Sequence, residues 1–161
     1  MKDLGLIPFV RLFPQQAANE TRVLTTRRYP GLPDDEYGLL ESYCPDLRCN
    51  RRRVMLNVVG RWRRAILATV SYGFDRDAAM AGPFLDPLNP QSTYADTLLG
   101  LVEEVLEDPA YVARLQAHYH RVKGAMADRS HPARQLLAQS VQDDRIRPSR
   151  PRGTRCKRRD R

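Results

Sequence analysis

The clearest pattern in this chain is a period-two alternation in two neighbouring stretches. Val54, Leu56 and Val58 alternate with Met55, Asn57 and Val59, and Ile66, Ala68, Val70 and Tyr72 alternate with Leu67, Thr69 and Ser71. Alternation with β-branched enrichment predicts two strands, and Gly60 to Arg64 between them predicts the turn of an antiparallel hairpin. Upstream, Tyr37 to Tyr43 predicts another strand, and Arg22 to Arg28 an outer one. Pro30-Gly31-Leu32-Pro33-Asp34-Asp35 is the turn cluster between those two. Residues 1–20 are apolar at Leu6, Ile7, Phe9, Val10, Leu12 and Phe13, but Pro8 and Pro14 argue against a regular helix there.

Beyond Tyr72 the period changes. Residues 82–90 interleave three prolines with Phe84, Leu85 and Leu88, which predicts an ordered, packed connection. Asn89-Pro90 or Ser92 is expected to open a helix. Along it Ala95, Leu98, Leu99, Val102, Val105 and Leu106 form an apolar stripe. Asp108-Pro109 predicts a second start, an N-cap followed by Pro at the first helical position. Tyr111, Leu115, His118 and Val122 share one face of that helix, and Gly124 suits its C-cap. A third helix is predicted from about Pro132 to Val141, with Leu136 and Leu137 facing inward. The expected fold is α+β: a small antiparallel sheet of three or four strands packed against two or three C-terminal helices.

Charge alters the picture at one end. The chain has 161 residues, 27 Lys or Arg and 19 Asp or Glu, a net of +8. Nine of those cations and one of the acids fall after residue 144, which leaves 18 of each sign before it. The basic excess therefore describes a tail. We expect a single domain over 1–144 and a disordered basic tail over 145–161, low in apolar content and without periodicity.

Three cysteines at wide spacing argue against a disulfide framework and for a reducing compartment. The apolar run Leu4 to Phe13 is broken by Pro8 and Arg11 and lacks a small-residue cleavage site, so no signal peptide is expected. No run approaches the roughly 18 apolar residues of a membrane span. A cytoplasmic protein without a membrane partner is the expectation.

Cys44-x4-Cys49 is at the upper edge of metal-ligand spacing, and a structural zinc needs four ligands. The remaining donors are Cys156, His118, His120 and His131. His118 and His120 are two apart on a predicted helix and point to nearly opposite faces. Two ordinary thiols in a loop at a strand end is the favoured reading. Zinc held at Cys44 and Cys49 is the alternative, and otherwise no cofactor is expected.

The stretch Tyr43-Cys44-x4-Cys49-Asn50-Arg51-Arg52-Arg53-Val54 resembles an uncharacterised bacterial family with a Tyr-Cys-x4-Cys-x-Cys-Arg-Arg-Val type segment. The resemblance continues through Ala68-Thr69-Val70-Ser71-Tyr72 and Gly82-Pro83-Phe84-Leu85-Asp86-Pro87, covering about Tyr37 to Lys123. It implies a cysteine segment similar to small zinc-binding motifs. Here Arg51 stands where the family has its third cysteine, and Asn50 replaces an aspartate, which weighs against zinc in this chain. The resemblance implies a shape and no reaction.

Arg61-Trp62-Arg63-Arg64 at the hairpin tip places three guanidiniums around the only tryptophan. That combination grips phosphate and stacks on an unpaired base. The plainer reading is a solvated turn with Trp62 folded back onto the sheet. Glu103, Glu104, Glu107 and Asp108 read as a solvated helix face. No phosphate-binding Gly-rich loop, Gly-x-Ser-x-Gly elbow or His-Glu-x-x-His occurs, so no motif supports an enzyme. A cysteine-dependent enzyme is the weakest option. The function expected is a small accessory protein, contacting nucleic acid or another polyanion non-specifically through tail residues such as Arg155, Lys157, Arg158 and Arg159. Its alternative is a zinc-stabilised structural or protein-interaction domain without enzymatic activity, its protein partner unknown.

Overall fold

A computed structural model describes residues 5–146, with side-chain surroundings through residue 139. Its elements, in chain order, are β1 (Ile7–Pro8), α1 (Phe9–Leu12), α2 (Pro14–Glu20), β2 (Arg22–Thr26), β3 (Asp35–Tyr43), β4 (Arg53–Gly60) and β5 (Ala65–Gly73). They are followed by β6 (Phe84–Leu85), α3 (Ala95–Leu106), α4 (Pro109–Ala127) and α5 (Pro132–Ile146). The fold is α+β with a single antiparallel sheet. Its strand order is β1-β3-β4-β5-β6, and β2 shares with β1 the outer edge of β3.

The sheet has six strands, against the three or four expected. The additional β1 and β6 are two residues long, too short for alternation to register. Residues 1–20 also differ. Pro8 and Pro14 do not abolish helix: Pro8 is the extended N-cap of α1, and Pro14 opens α2, where a proline at the first position gives up only an amide that would be unpaired anyway. Phe9, Leu12 and Ala17 are buried from these two short helices.

The central hairpin obeys its alternation. Val54, Leu56 and Val58 are buried on the helix-covered side, and Ala68, Val70 and Tyr72 pair opposite them. Ile66 departs from the pattern. The register shifts at Val58/Val59, so Leu67 becomes the extra residue of a bulge and turns inward, while Ile66 is 54% exposed. One inserted residue reverses which side chains face the core.

α3 starts at Ala95, later than Asn89 or Ser92, because Ser92 forms a turn ahead of it and its hydroxyl accepts from the Tyr94 amide at 3.2 Å. Ala95, Leu98, Val102 and Leu106 are buried, together with Leu101. The Asp108 cap holds, its carboxylate accepting from the Ala110 amide at 2.9 Å. Gly124 does not end α4. The helix continues to Ala127, since the Asp128 amide still finds the Gly124 carbonyl. α5 runs past the expected Val141, and past residue 144, to Ile146. The rest of the expected tail lies outside the described residues. Among the described residues no helix is long and apolar enough to cross a membrane.

Candidate functional site

Three neighbouring groups shape the turn between β4 and β5. The Arg64 amide donates to the Gly60 carbonyl at 2.9 Å, and Arg64 itself takes a left-handed φ of 49°. The carboxylate of buried Asp35 accepts from the amides of Glu36 at 2.7 Å and Trp62 at 3.1 Å. Residue 60 must be glycine-sized, because a Cβ there would stand 2.8 Å from Asp35 Oδ2 and 3.2 Å from Leu67 Cδ1. The backbone of Trp62 is therefore fixed, yet its indole is 76% exposed. Trp62 does not fold back onto the sheet.

The cations around it are unevenly engaged. Arg61 pairs with Glu36 and sets its guanidinium 5.7 Å from the indole centre. Arg63 lies 5.0 Å over the Tyr94 ring and donates to its hydroxyl at 3.3 Å. Arg64 is exposed. The tip thus presents one flat aromatic surface with three positive charges around it, two of them oriented by the body.

The cysteine loop joins β3 to β4. Its turn comes from Asp46, whose side chain accepts from the Arg48 amide at 2.9 Å and whose carbonyl accepts from the Cys49 amide at 3.1 Å. Lys123 of α4 clamps the loop by donating to the carbonyls of Asp46 and Cys49. The turn brings Cys49 back beside Cys44, both of them free and half-buried. Burial pushes the Cys44 thiol up, against a lowering hydrogen bond from the Asp46 backbone, and the adjacent Cys49 thiol adds to the rise.

Both cysteines open into a cleft of about 700 Å³. It lies over the sheet side that carries Ser42, Met55 and Ser71, facing away from α3 and α4. Arg51, Arg52 and Arg53 line it, as do Met80 and Phe84. Arg52 pairs with Asp75 at 3.1 Å. Arg53 donates to the Met80 carbonyl at 2.7 Å and sits 5.5 Å over the Phe84 ring. Its Nε is buried with no hydrogen-bond partner among the described residues.

Among the described residues no group of three or more His, Cys, Asp or Glu is placed to hold an ion, so the tetrahedral set that zinc requires does not form around Cys44 and Cys49 there. His120 is exposed on the far side of α4 from His118. His131 packs edge-on against Phe13 and its Nδ1 accepts from the Ala133 amide. Cys156, Arg155, Lys157, Arg158 and Arg159 lie outside the described residues. Glu103 and Glu104 are exposed on α3, Glu107 is its exposed C-cap, and Asp108 caps α4.

A buried cluster was not foreseen. His118 is 2% exposed, with Nδ1 at 2.7 Å from Glu41 Oε2 and Nε2 at 2.6 Å from Glu20 Oε2. Tyr43 donates to the same Glu41 oxygen at 2.7 Å, and Phe9 stacks on the imidazole with centroids 4.1 Å apart. Carboxylates at both ring nitrogens favour the imidazolium form of His118, in which both nitrogens donate. Burial opposes that charge, but the hydrogen bonds and charges of Glu41 and Glu20 outweigh it and hold the pKa above its ordinary value. The hydrogen bond from His118 holds Glu20 below the usual carboxylate range. Such a cluster ties α4 to β3 and α2. A signal for it existed: Glu41 occupies an inward strand position between Leu39 and Tyr43, and His118 an inward helix position.

No protein-family model, curated protein or solved structure matches this chain.

Proposed function

We propose that this is a non-enzymatic accessory protein that binds single-stranded nucleic acid, with the β4–β5 turn as the contact that stacks on bases. The observation that carries the reading is the Trp62 indole, 76% exposed on a backbone pinned by Asp35. A flat aromatic ring held in solvent on a fixed turn is available to stack on a flat partner. Any base offers such a face, so stacking tolerates sequence variation. Arg61, Arg63 and Arg64 add charge for phosphates, and Arg61 and Arg63 are already ordered by Glu36 and Tyr94. The basic residues after Ile146 supply sequence-independent attraction that weakens as salt rises through counterion release.

These two contributions separate experimentally. Binding of single-stranded RNA and DNA at several salt concentrations should weaken by ~1–3 kcal/mol in Trp62→Ala, with the salt slope nearly unchanged. Deleting residues 147–161 should flatten the slope. An affinity that does not respond to Trp62→Ala removes the turn from the interface and the reading with it.

A further inference from the structure

The loop from Cys44 to Cys49 is built so that two thiols meet in an accessible place. Lys123 clamps the backbone on either side of the turn, the Asp46 side chain caps it, and both cysteines lie on the wall of one cleft. Cysteines returned to each other by such a turn need little backbone movement to be joined, the usual geometric barrier to a disulfide. Among the described residues no group of three or more His, Cys, Asp or Glu is placed to hold a metal ion around them. Beside them on the cleft wall is Arg51, an exposed residue with no side-chain hydrogen bond or ion pair to another described residue.

We propose that Cys44 and Cys49 are a thiol–disulfide exchange pair whose co-substrate is a carboxylate-bearing, low-molecular-weight disulfide that enters the cleft. The Cys49 thiolate attacks one sulfur of that disulfide. Its S–S bond breaks, a mixed disulfide forms on Cys49, and the first small thiolate leaves and takes up the proton Cys49 has lost. The Cys44 thiolate then attacks the Cys49 sulfur. The Cys44–Cys49 bond forms, the mixed disulfide breaks, and the second small thiolate leaves with the Cys44 proton. Two protein thiols are oxidised by two electrons, and one small disulfide is reduced to two thiols. Arg51 attracts the carboxylates of the incoming molecule, and an excess of the small thiol reverses both steps.

Oxidised glutathione is the probe. The full chain, in a Cys156→Ser background, is equilibrated over a range of reduced-to-oxidised glutathione ratios, free thiols are blocked, and intact mass and peptide maps are read. The expected product is a chain two hydrogens lighter, with Cys44 joined to Cys49, and it returns to the dithiol in excess reduced glutathione. Cys44→Ser should stop at a single glutathionyl adduct on Cys49. Arg51→Glu should slow closure by oxidised glutathione by roughly tenfold, as charge steering allows, and leave closure by neutral hydroxyethyl disulfide nearly unaltered. Two glutathionyl adducts per chain without closure, or two thiols still free at the most oxidising ratio, would overturn the pairing. Equal slowing with both disulfides in Arg51→Glu would overturn the role of Arg51.

Discussion

Beneath the helices, Glu41 and Glu20 take both nitrogens of His118, while at the tip of β4–β5 the Trp62 indole stands in solvent. The covered side compensates each charge it buries. His118 has two carboxylates, Glu41 has His118 and Tyr43, and Phe9 seals the imidazole. The turn and the cleft keep chemistry unclaimed instead: a flat ring, an exposed Arg64, a buried Arg53 Nε without a partner among the described residues, and two free thiols. A fully compensated network stabilises a fold but has no bond left to offer a ligand. The binding chemistry we propose is therefore assigned to the turn and the cleft, even though the most perturbed ionisable groups lie under the helices.

The largest effect should come from breaking the covered network. His118→Ala leaves Glu41 buried without its charged partner, which costs ~3–5 kcal/mol by analogy with other broken buried pairs. Trp62→Ala in the same urea titration should stay within about 0.5 kcal/mol of the parent, as for other surface changes. Next is Gly60→Ala, which puts a methyl group 2.8 Å from a carboxylate already holding two amides. Overpacking of this kind costs ~1–3 kcal/mol. It should also lower nucleic-acid affinity, because the Asp35–Trp62 hydrogen bond that fixes the turn is displaced.

Smaller still is a pH dependence confined to the covered side. His118 has its pKa raised above 6.5, so its contribution is complete below about that pH and is lost as pH rises through the folded-state value. Glu20 has its pKa lowered from 4.5, so its contribution is present above that value and lost as pH falls through the folded-state one. Thermal midpoints should therefore show the network's stabilisation whole between about 4.5 and 6.5, and His118→Ala should abolish the decline on the alkaline side. The least effect is expected of Tyr111→Phe. The Tyr111 hydroxyl is buried with no partner among the described residues, so its removal should be neutral or slightly stabilising.

Long periodic segments were legible in the sequence: the β4–β5 hairpin, the α3 stripe and the Asp108-Pro109 start all form where spacing put them. What escaped was local or non-local in specific ways. The Leu67 bulge reverses the facing of Ile66 without any glycine to mark it, and two-residue strands carry no period. Gly124 was compatible with helix interior as well as with an end, and packing of α4 decided between them. The Glu20–His118–Glu41 cluster joins residues 98 and 77 positions apart, a distance over which spacing conveys nothing. The Cys44-x4-Cys49 spacing shows a pair but not its geometry, which the Asp46 turn and the Lys123 clamp decide.

Trp62 is the only tryptophan in the chain, so its emission reports directly on the turn. Full-length protein should be titrated with a single-stranded oligonucleotide while intrinsic fluorescence and the anisotropy of a labelled strand are followed together. A base stacked on the indole predicts saturable quenching of Trp62 that tracks the anisotropy, with a midpoint that moves to higher concentration as salt is added. A rise in anisotropy with Trp62 emission unchanged would place the strand elsewhere on the chain and contradict the claim that the hairpin tip is the binding surface.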